Sequence, residues 1–195
     1  THLSSATEYV LVYSKNKELT KTGLLSRTDQ MNAKYKNPDN DPEGLWRDDN
    51  PIARTKSDKD RYAIQSPFTG ALHYPGTGSW RNTKKNMKAY LEAWGTKYIE
   101  KDLGDGRPKA LVMKGAAIPA IPEEHNLDNN PVIDIADLKD DIILKAEKKA
   151  LKIRDNKTMP ELYFLRSGYG RPAIKRYLKY VKQGKVPLTF WADED

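Results

Sequence analysis

The stretch Ser66–Asn82, SPFTGALHYPGTGSWRN, sets Pro67, Gly70, Pro75, Gly76 and Gly78 close together and ends on Trp80 and Arg81. It reads as a phosphate cradle, a ligand loop or a way of bending the chain. A phosphate cradle needs GxxxxGK followed by Ser or Thr, or a GxGxxG turn between strand and helix, and neither spacing occurs here. Gly and Pro at these intervals are turn formers. The stretch is therefore expected to be a bend that puts Trp80 and Arg81, with Lys84 and Lys85 at a following helix start, on one side. The pairs Gly104/Gly106 and Gly168/Gly170 read as turns for the same reason.

Working outward, RYAIQS alternates as a short strand leading into the bend. Thr83 is a helix cap, and Met87, Tyr90, Leu91, Trp94 and Tyr98 recur at helical spacing, which predicts a helix over Lys84–Ile99. GDGRPKALVMKG predicts a turn and then a strand at ALVM. The Pro- and Asn-rich run from Ala116 to Pro131 should be irregular. Asp137 is the expected cap of a second helix reaching about Asn156, with Leu138, Ile142, Ala146, Ala150 and Ile153 on one face. That helix is expected as a satellite sub-region, 131–158, on a flexible connection.

ELYFLRS predicts a strand broken by GYG. Pro172 then opens an expected third helix that buries Ile174, Tyr177, Leu178 and Val181 and sets Lys175, Lys179 and Lys182 beside them. EYVLVYSK near the start reads as a buried strand, and GKVPLTFW near the end as a short extended segment. Between Asn16 and Lys59 the chain is polar, with NPDNDPEG as its turn cluster and a partial helical stripe from Leu24 to Ala33. The expected class is α+β: a small mixed sheet with about three amphipathic helices and long irregular connections.

The chain has 195 residues, of which 37% are hydrophobic and 31% charged in mixed sign; four Trp and eleven Tyr supply the apolar anchors of a folded core. With no Cys, disulfides, thiolate metal sites and a Cys nucleophile are excluded. No apolar run approaches the roughly 20 residues that cross a bilayer, and nothing at the start reads as a signal peptide, so the expectation is a soluble cytoplasmic protein without a membrane partner. Net charge is +7, and between Glu161 and Trp191 seven basic residues face the single acid Glu161. Such a segment favours a polyanion.

No complete catalytic apparatus is legible. His2, His73 and His125 lack zinc-ligand spacing, no GxSxG elbow occurs, and the carboxylates are dispersed, leaving a small hydrolase as a weakly supported reading. What remains is cations interleaved with aromatic rings: Trp46 with Arg47, Trp80 with Arg81, Tyr169 with Arg171, and Lys175 with Tyr177. Cations bind phosphates and rings stack on bases. The candidate nucleic-acid contacts are Arg47, Trp80, Arg81, Lys84, Lys85, Arg171, Lys175 and Lys179, with double-stranded DNA as partner and no metal or cofactor. The competing reading is a protein-interaction or scaffold domain in which the Trp residues are core and the lysines only solubilise.

Four blocks, HLSSATEYVLVYSKN, GLWRDDNPIAR, YAIQSPFTGALHYPGTGSWR and GRPAIKRYLKYVKQGKVPLTFW, taken in order, resemble the DNA-adenine methyltransferases of type III restriction–modification systems. The resemblance implies a parent that transfers a methyl group from S-adenosylmethionine to adenine N6 after flipping the base. It leaves out the Asp-Pro-Pro-Tyr-like tetrad and the cofactor-binding FxGxG-like motif, neither of which occurs in this sequence. On this reading residues 1–15 are the end of a catalytic-domain strand region and 16–195 an inserted target-recognition domain, inactive alone. Its further partners would be the rest of the methyltransferase, a second copy or a restriction subunit.

Overall fold

A computed structural model describes residues 11, 13–16, 18–21, 23–135, 140–156 and 158–185. The chain divides into two compact units, one formed by Ala33–Tyr180 and one by the segments Thr1–Asn32 and Val181–Asp195. In the smaller unit, β1 (Leu25–Ser26) pairs antiparallel with β12 (Gly184–Lys185), and α1 is a single turn at Asp29–Asn32. The strand expected at EYVLVY falls mostly outside the described residues; Leu11 and Tyr13 are exposed and in no strand. Of the extended segment expected at GKVPLTFW, only Gly184 and Lys185 are described.

The larger unit contains β2 (Trp46–Asp49), β3 (Ile52–Ala53), β4 (Ile64–Gln65), β5 (Leu72–His73), β6 (Ser79–Trp80), α2 (Lys84–Glu92), β7 (Tyr98–Lys101), β8 (Ala110–Met113), β9 (Val132–Ile133), α3 (Asp141–Asn156), β10 (Leu162–Phe164) and β11 (Pro172–Tyr177). Five strands make the central sheet in the order β7-β8-β4-β5-β9, with β4 and β8 parallel and the other pairs antiparallel. A second sheet runs β10-β11-β2, and β3 pairs with β6. The α+β class stands, with the strands spread over several small sheets.

Both faces of the central sheet are covered, so its strands read as near-continuous apolar runs. Ile64, Leu111 and Met113 join the larger core with Met87 and Leu91 of α2, Trp94, Ile143, Ala146 and Ala150 of α3, and Leu162 and Phe164 of β10. Ala63, Leu72, Ala110, Val112 and Ile133 form the smaller core with Tyr74 and Leu127. ALVM thus alternates between two cores, because successive side chains of a strand point to opposite faces.

The stretch Ser66–Asn82 is a bend, in two steps. First, Ser66–Ala71 closes the β4–β5 hairpin: Ser66 Oγ accepts from the amides of Phe68 and Thr69, and the Gly70 amide donates to Ser66 O at 2.9 Å. Gln65, fully buried, donates through Nε2 to Gly70 O and Ala117 O and accepts from the Met113 amide, so its side-chain amide ties three segments together. Second, the Gly78 amide donates to Pro75 O, and the chain enters β6 against Ile52–Ala53. A Cβ on Gly78 would lie 2.3 Å from Ala53 O, so this glycine serves close backbone approach, not a ligand cradle.

Three expectations are corrected. The helix from Lys84 ends at Glu92, because Gly95 at φ +86° turns the chain and Tyr98 begins a strand. The second helix begins at Asp141, with Asp140 Oδ1 accepting from the Ile143 amide; Asp137 and Leu138 lie outside the described residues. It is no satellite, since Ile143, Ala146 and Ala150 are buried in the main core. The third helix, expected from Pro172, is the strand β11 followed by a 3₁₀ turn at Leu178–Tyr180. Ala173, Lys175 and Tyr177 point inward with period two, and β2 and β10 supply its hydrogen-bonding partners.

Candidate nucleic-acid interface

Trp80 sits at the end of β6 with its ring buried and its Nε1 donating to Tyr62 O at 2.8 Å. Alternation along a strand then turns the next residue, Arg81, outward. Its guanidinium reaches Asp49 at 3.2 Å while the side chain stays 46% exposed. Thr83 Oγ1 accepts from the Asn86 amide and opens α2, so Lys84 is its first residue. Lys84 Nζ lies 4.5 Å from the centre of the Tyr62 ring and donates to Lys109 O at 2.7 Å and toward Glu100 at 3.4 Å. Lys59, on the 3₁₀ turn Asp58–Asp60, completes a shallow concavity with Arg81, Asn82, Thr83, Lys84 and Pro108.

A second concavity shares Lys59 and Pro108 with the first and adds Asp58, Arg61, Gly106 and Arg107. Asp128 ties two of its lining arginines together, since one carboxylate oxygen accepts from both Arg61 and Arg107. The Arg107 hydrogen bond, against a smaller contribution from burial, holds the Asp128 carboxyl below its ordinary range, and the Arg61 and Arg107 charges add to the effect. Arg61 also donates to Gly76 O, while its Nε is buried without a partner among the described residues. The two concavities together present Lys59, Arg61, Arg81, Lys84 and Arg107 against Asp58 and Asp60. Four of these cations have a carboxylate partner within the fold, Arg61 and Arg107 at Asp128, Arg81 at Asp49 and Lys84 at Glu100.

Of the eight residues expected to touch nucleic acid, the groove gathers Arg81 and Lys84. Lys85 is exposed on α2, and Arg171 is exposed just ahead of β11. Lys179 is exposed at the other end of β11 and paired with Glu43 at 2.6 Å. Arg47 is half-buried over the Tyr35 ring and lies opposite Arg176 across the β2–β11 pair.

Two of the expected contacts are corrected. Trp80 is a core anchor whose ring cannot stack on a base. Lys175 has a side chain with no exposure, its Nζ 2.6 Å from both Asp39 and Asp41, so it holds the fold together and meets no phosphate. Lys59, Arg61 and Arg107 line the same concavities and are not among the residues expected from the sequence. Their sequence signal is slight, because SDKDRY and GDGRPK look like ordinary charged turns, and only folding brings them to one place.

Among the described residues no group of three or more His, Asp or Glu could hold a metal ion, and no helix is long and apolar enough to cross a membrane. Burial pushes the His73 imidazole down to about 4, opposed by the charge of Asp134. It packs on Phe164 within the fold, not in the groove. Comparison with known protein families, with curated proteins and with solved structures finds no match to this chain.

Proposed function

We propose that this chain binds double-stranded DNA through the groove that joins Lys59, Arg61, Arg81, Lys84 and Arg107, and does so as the target-recognition part of an S-adenosylmethionine-dependent adenine-N6 methyltransferase. The observation that carries the binding is the convergence of those five cations on two adjoining concavities. The ordered sequence blocks carry the reaction class, which belongs to other parts of such an enzyme. The groove arginines are semi-rigid, since each is held in place by a carboxylate, so that less side-chain freedom is left to lose on binding.

The test is duplex binding followed by fluorescence anisotropy from about 50 to 200 mM salt, where phosphate contacts appear as a steep loss of affinity. Lys59→Ala with Arg81→Ala is expected to lower the slope of log K against log salt by about 2 without loss of stability. A chain with no salt-sensitive affinity for duplex sinks the proposal. The same pairing supports a second reading, a protein-interaction domain. Arg81, Lys84 and Lys179 each have a carboxylate partner in the fold, which lowers their claim on an external anion. An unchanged slope in the double variant favours that reading.

A further inference from the structure

The outward face of α3 carries Lys145, Lys148, Lys149 and Lys152, all exposed. At 100° per residue they stand opposite Ile143, Ala146 and Ala150, which are buried in the core. Among the described residues no carboxylate pairs with any of the four; Lys149 Nζ donates to Gly95 O at 3.3 Å. Glu147, the nearest acid in sequence, is turned to the flank of the helix and accepts from the Tyr169 hydroxyl. Arg154, on the same flank, donates to Ser167 O.

A face that only solubilises would interleave acids with lysines. Between Lys145 and Lys152 the i,i+3 and i,i+4 neighbours, Lys145 with Lys148 and Lys149, and Lys152 with the same two, are like-charged, an arrangement that weakens a helix. The acids at such spacing stand outside that span, Asp141 four residues before Lys145 and Asp155, paired with Arg154, three after Lys152. We infer that this lysine face is a second polyanion-binding surface, distinct from the groove, whose ligand is the phosphodiester backbone of a nucleic acid. From Lys145 to Lys152 the helix rises about 10 Å, which matches about three nucleotide steps of one strand. An anionic membrane fits less well. The apolar face that an interfacial helix would insert is already spent inside the core.

The inference rests on the nucleic-acid reading of the chain but not on the groove, so separate variants tell the two apart. The full chain is titrated against a duplex of about 20 base pairs and against phosphatidylserine vesicles, as wild type, as the triple variant Lys145→Gln, Lys148→Gln, Lys152→Gln, and as the groove variant Lys59→Ala, Arg81→Ala. Losing three phosphate contacts is expected to shrink the affinity lost between about 50 and 200 mM salt by about 40-fold. Thermal melting of the triple variant is expected to be unchanged or raised, because like-charge neighbours are removed. An unchanged salt slope in the triple variant overturns the inference, whatever the groove variant does. A wild-type chain that ignores duplex overturns it together with the groove reading. Vesicle binding that the triple variant loses while duplex binding persists overturns it in favour of a membrane.

Discussion

Lys175 is a cation held away from water by two carboxylates, and each carboxylate is in turn satisfied by the fold. Asp39 accepts from Trp46 Nε1 and from the Met159 amide, both at 2.8 Å. Asp41 accepts from the Glu43 amide and the Tyr177 hydroxyl, and the Trp46 ring lies 4.8 Å from Lys175 Nζ. Burial alone would raise the Asp41 carboxyl, but hydrogen bonds from Lys175, the Glu43 amide and Tyr177 outweigh it and hold it low. The stability it contributes is present above the ordinary carboxylate value and is lost as pH falls through the lower folded value. Lys175→Met strands two buried carboxylates without their cation and is expected to cost about 3–5 kcal/mol in urea unfolding at pH 7. A cost under about 1 kcal/mol would mean that water reaches the cluster. His73 tests the interior in another way. Its folded value of about 4 lies below the ordinary 6.5, so the unfolded chain takes up the proton first as pH falls. Stability should therefore drop by about 3 kcal/mol between pH 6.5 and 4, and His73→Leu should flatten that stretch of the pH profile. A profile that stays steep in the variant would assign the loss to other groups.

At the scale of elements, the reading of β11 shows where sequence patterning stops. PAIKRYLKY offers apolar residues at both helical and alternating spacing, and a lysine at an inward position scores as polar in either pattern. Its acid partners lie well over a hundred residues earlier in the chain, so nothing local marks Lys175 as interior. By contrast α2 and β8 were legible because a capping Thr83 and a compact apolar run are local signals. The groove was legible only at Arg81 and Lys84, which share one turn; Arg61 and Arg107 meet through Asp128, a contact between distant segments. The docking of α3 is likewise non-local, and it can be tested at the bend. Gly70 has φ +78°, and a Cβ there would come within 2.7 Å of Ile143 Cδ1. Gly70→Ala should cost about 2–4 kcal/mol from the left-handed backbone and the overlap together. Ile143→Val removes the closest atom. The double variant is then expected to cost at least about 1 kcal/mol less than the sum of the singles. Strict additivity would show that the SPFTG turn does not bear on the helix.

At the scale of the whole molecule, charge and core follow the same division. The segments 1–32 and 181–195 carry six basic and six acidic residues between them, so the full net charge of +7 stays with Ala33–Tyr180. Among the described residues, every member of both hydrophobic cores lies in that unit as well, as do the groove and the lysine face of α3. The basic excess counted from Glu161 onward in the sequence therefore overstates the C-terminal end, where Lys182 and Lys185 fall in the other unit. A fragment ending at Tyr180 loses those two cations and keeps every residue proposed to meet DNA. Ala33–Tyr180 is thus expected to unfold in one cooperative transition within a few degrees of the full chain, since none of the core side chains among the described residues is removed. Its duplex affinity should show the full chain's salt slope to within about 1, because the number of phosphates neutralised is the same. Calorimetry and anisotropy titrations on the two chains side by side provide the measurement. A fragment that folds but loses the slope would move the proposed DNA-binding surface into the flanking segments.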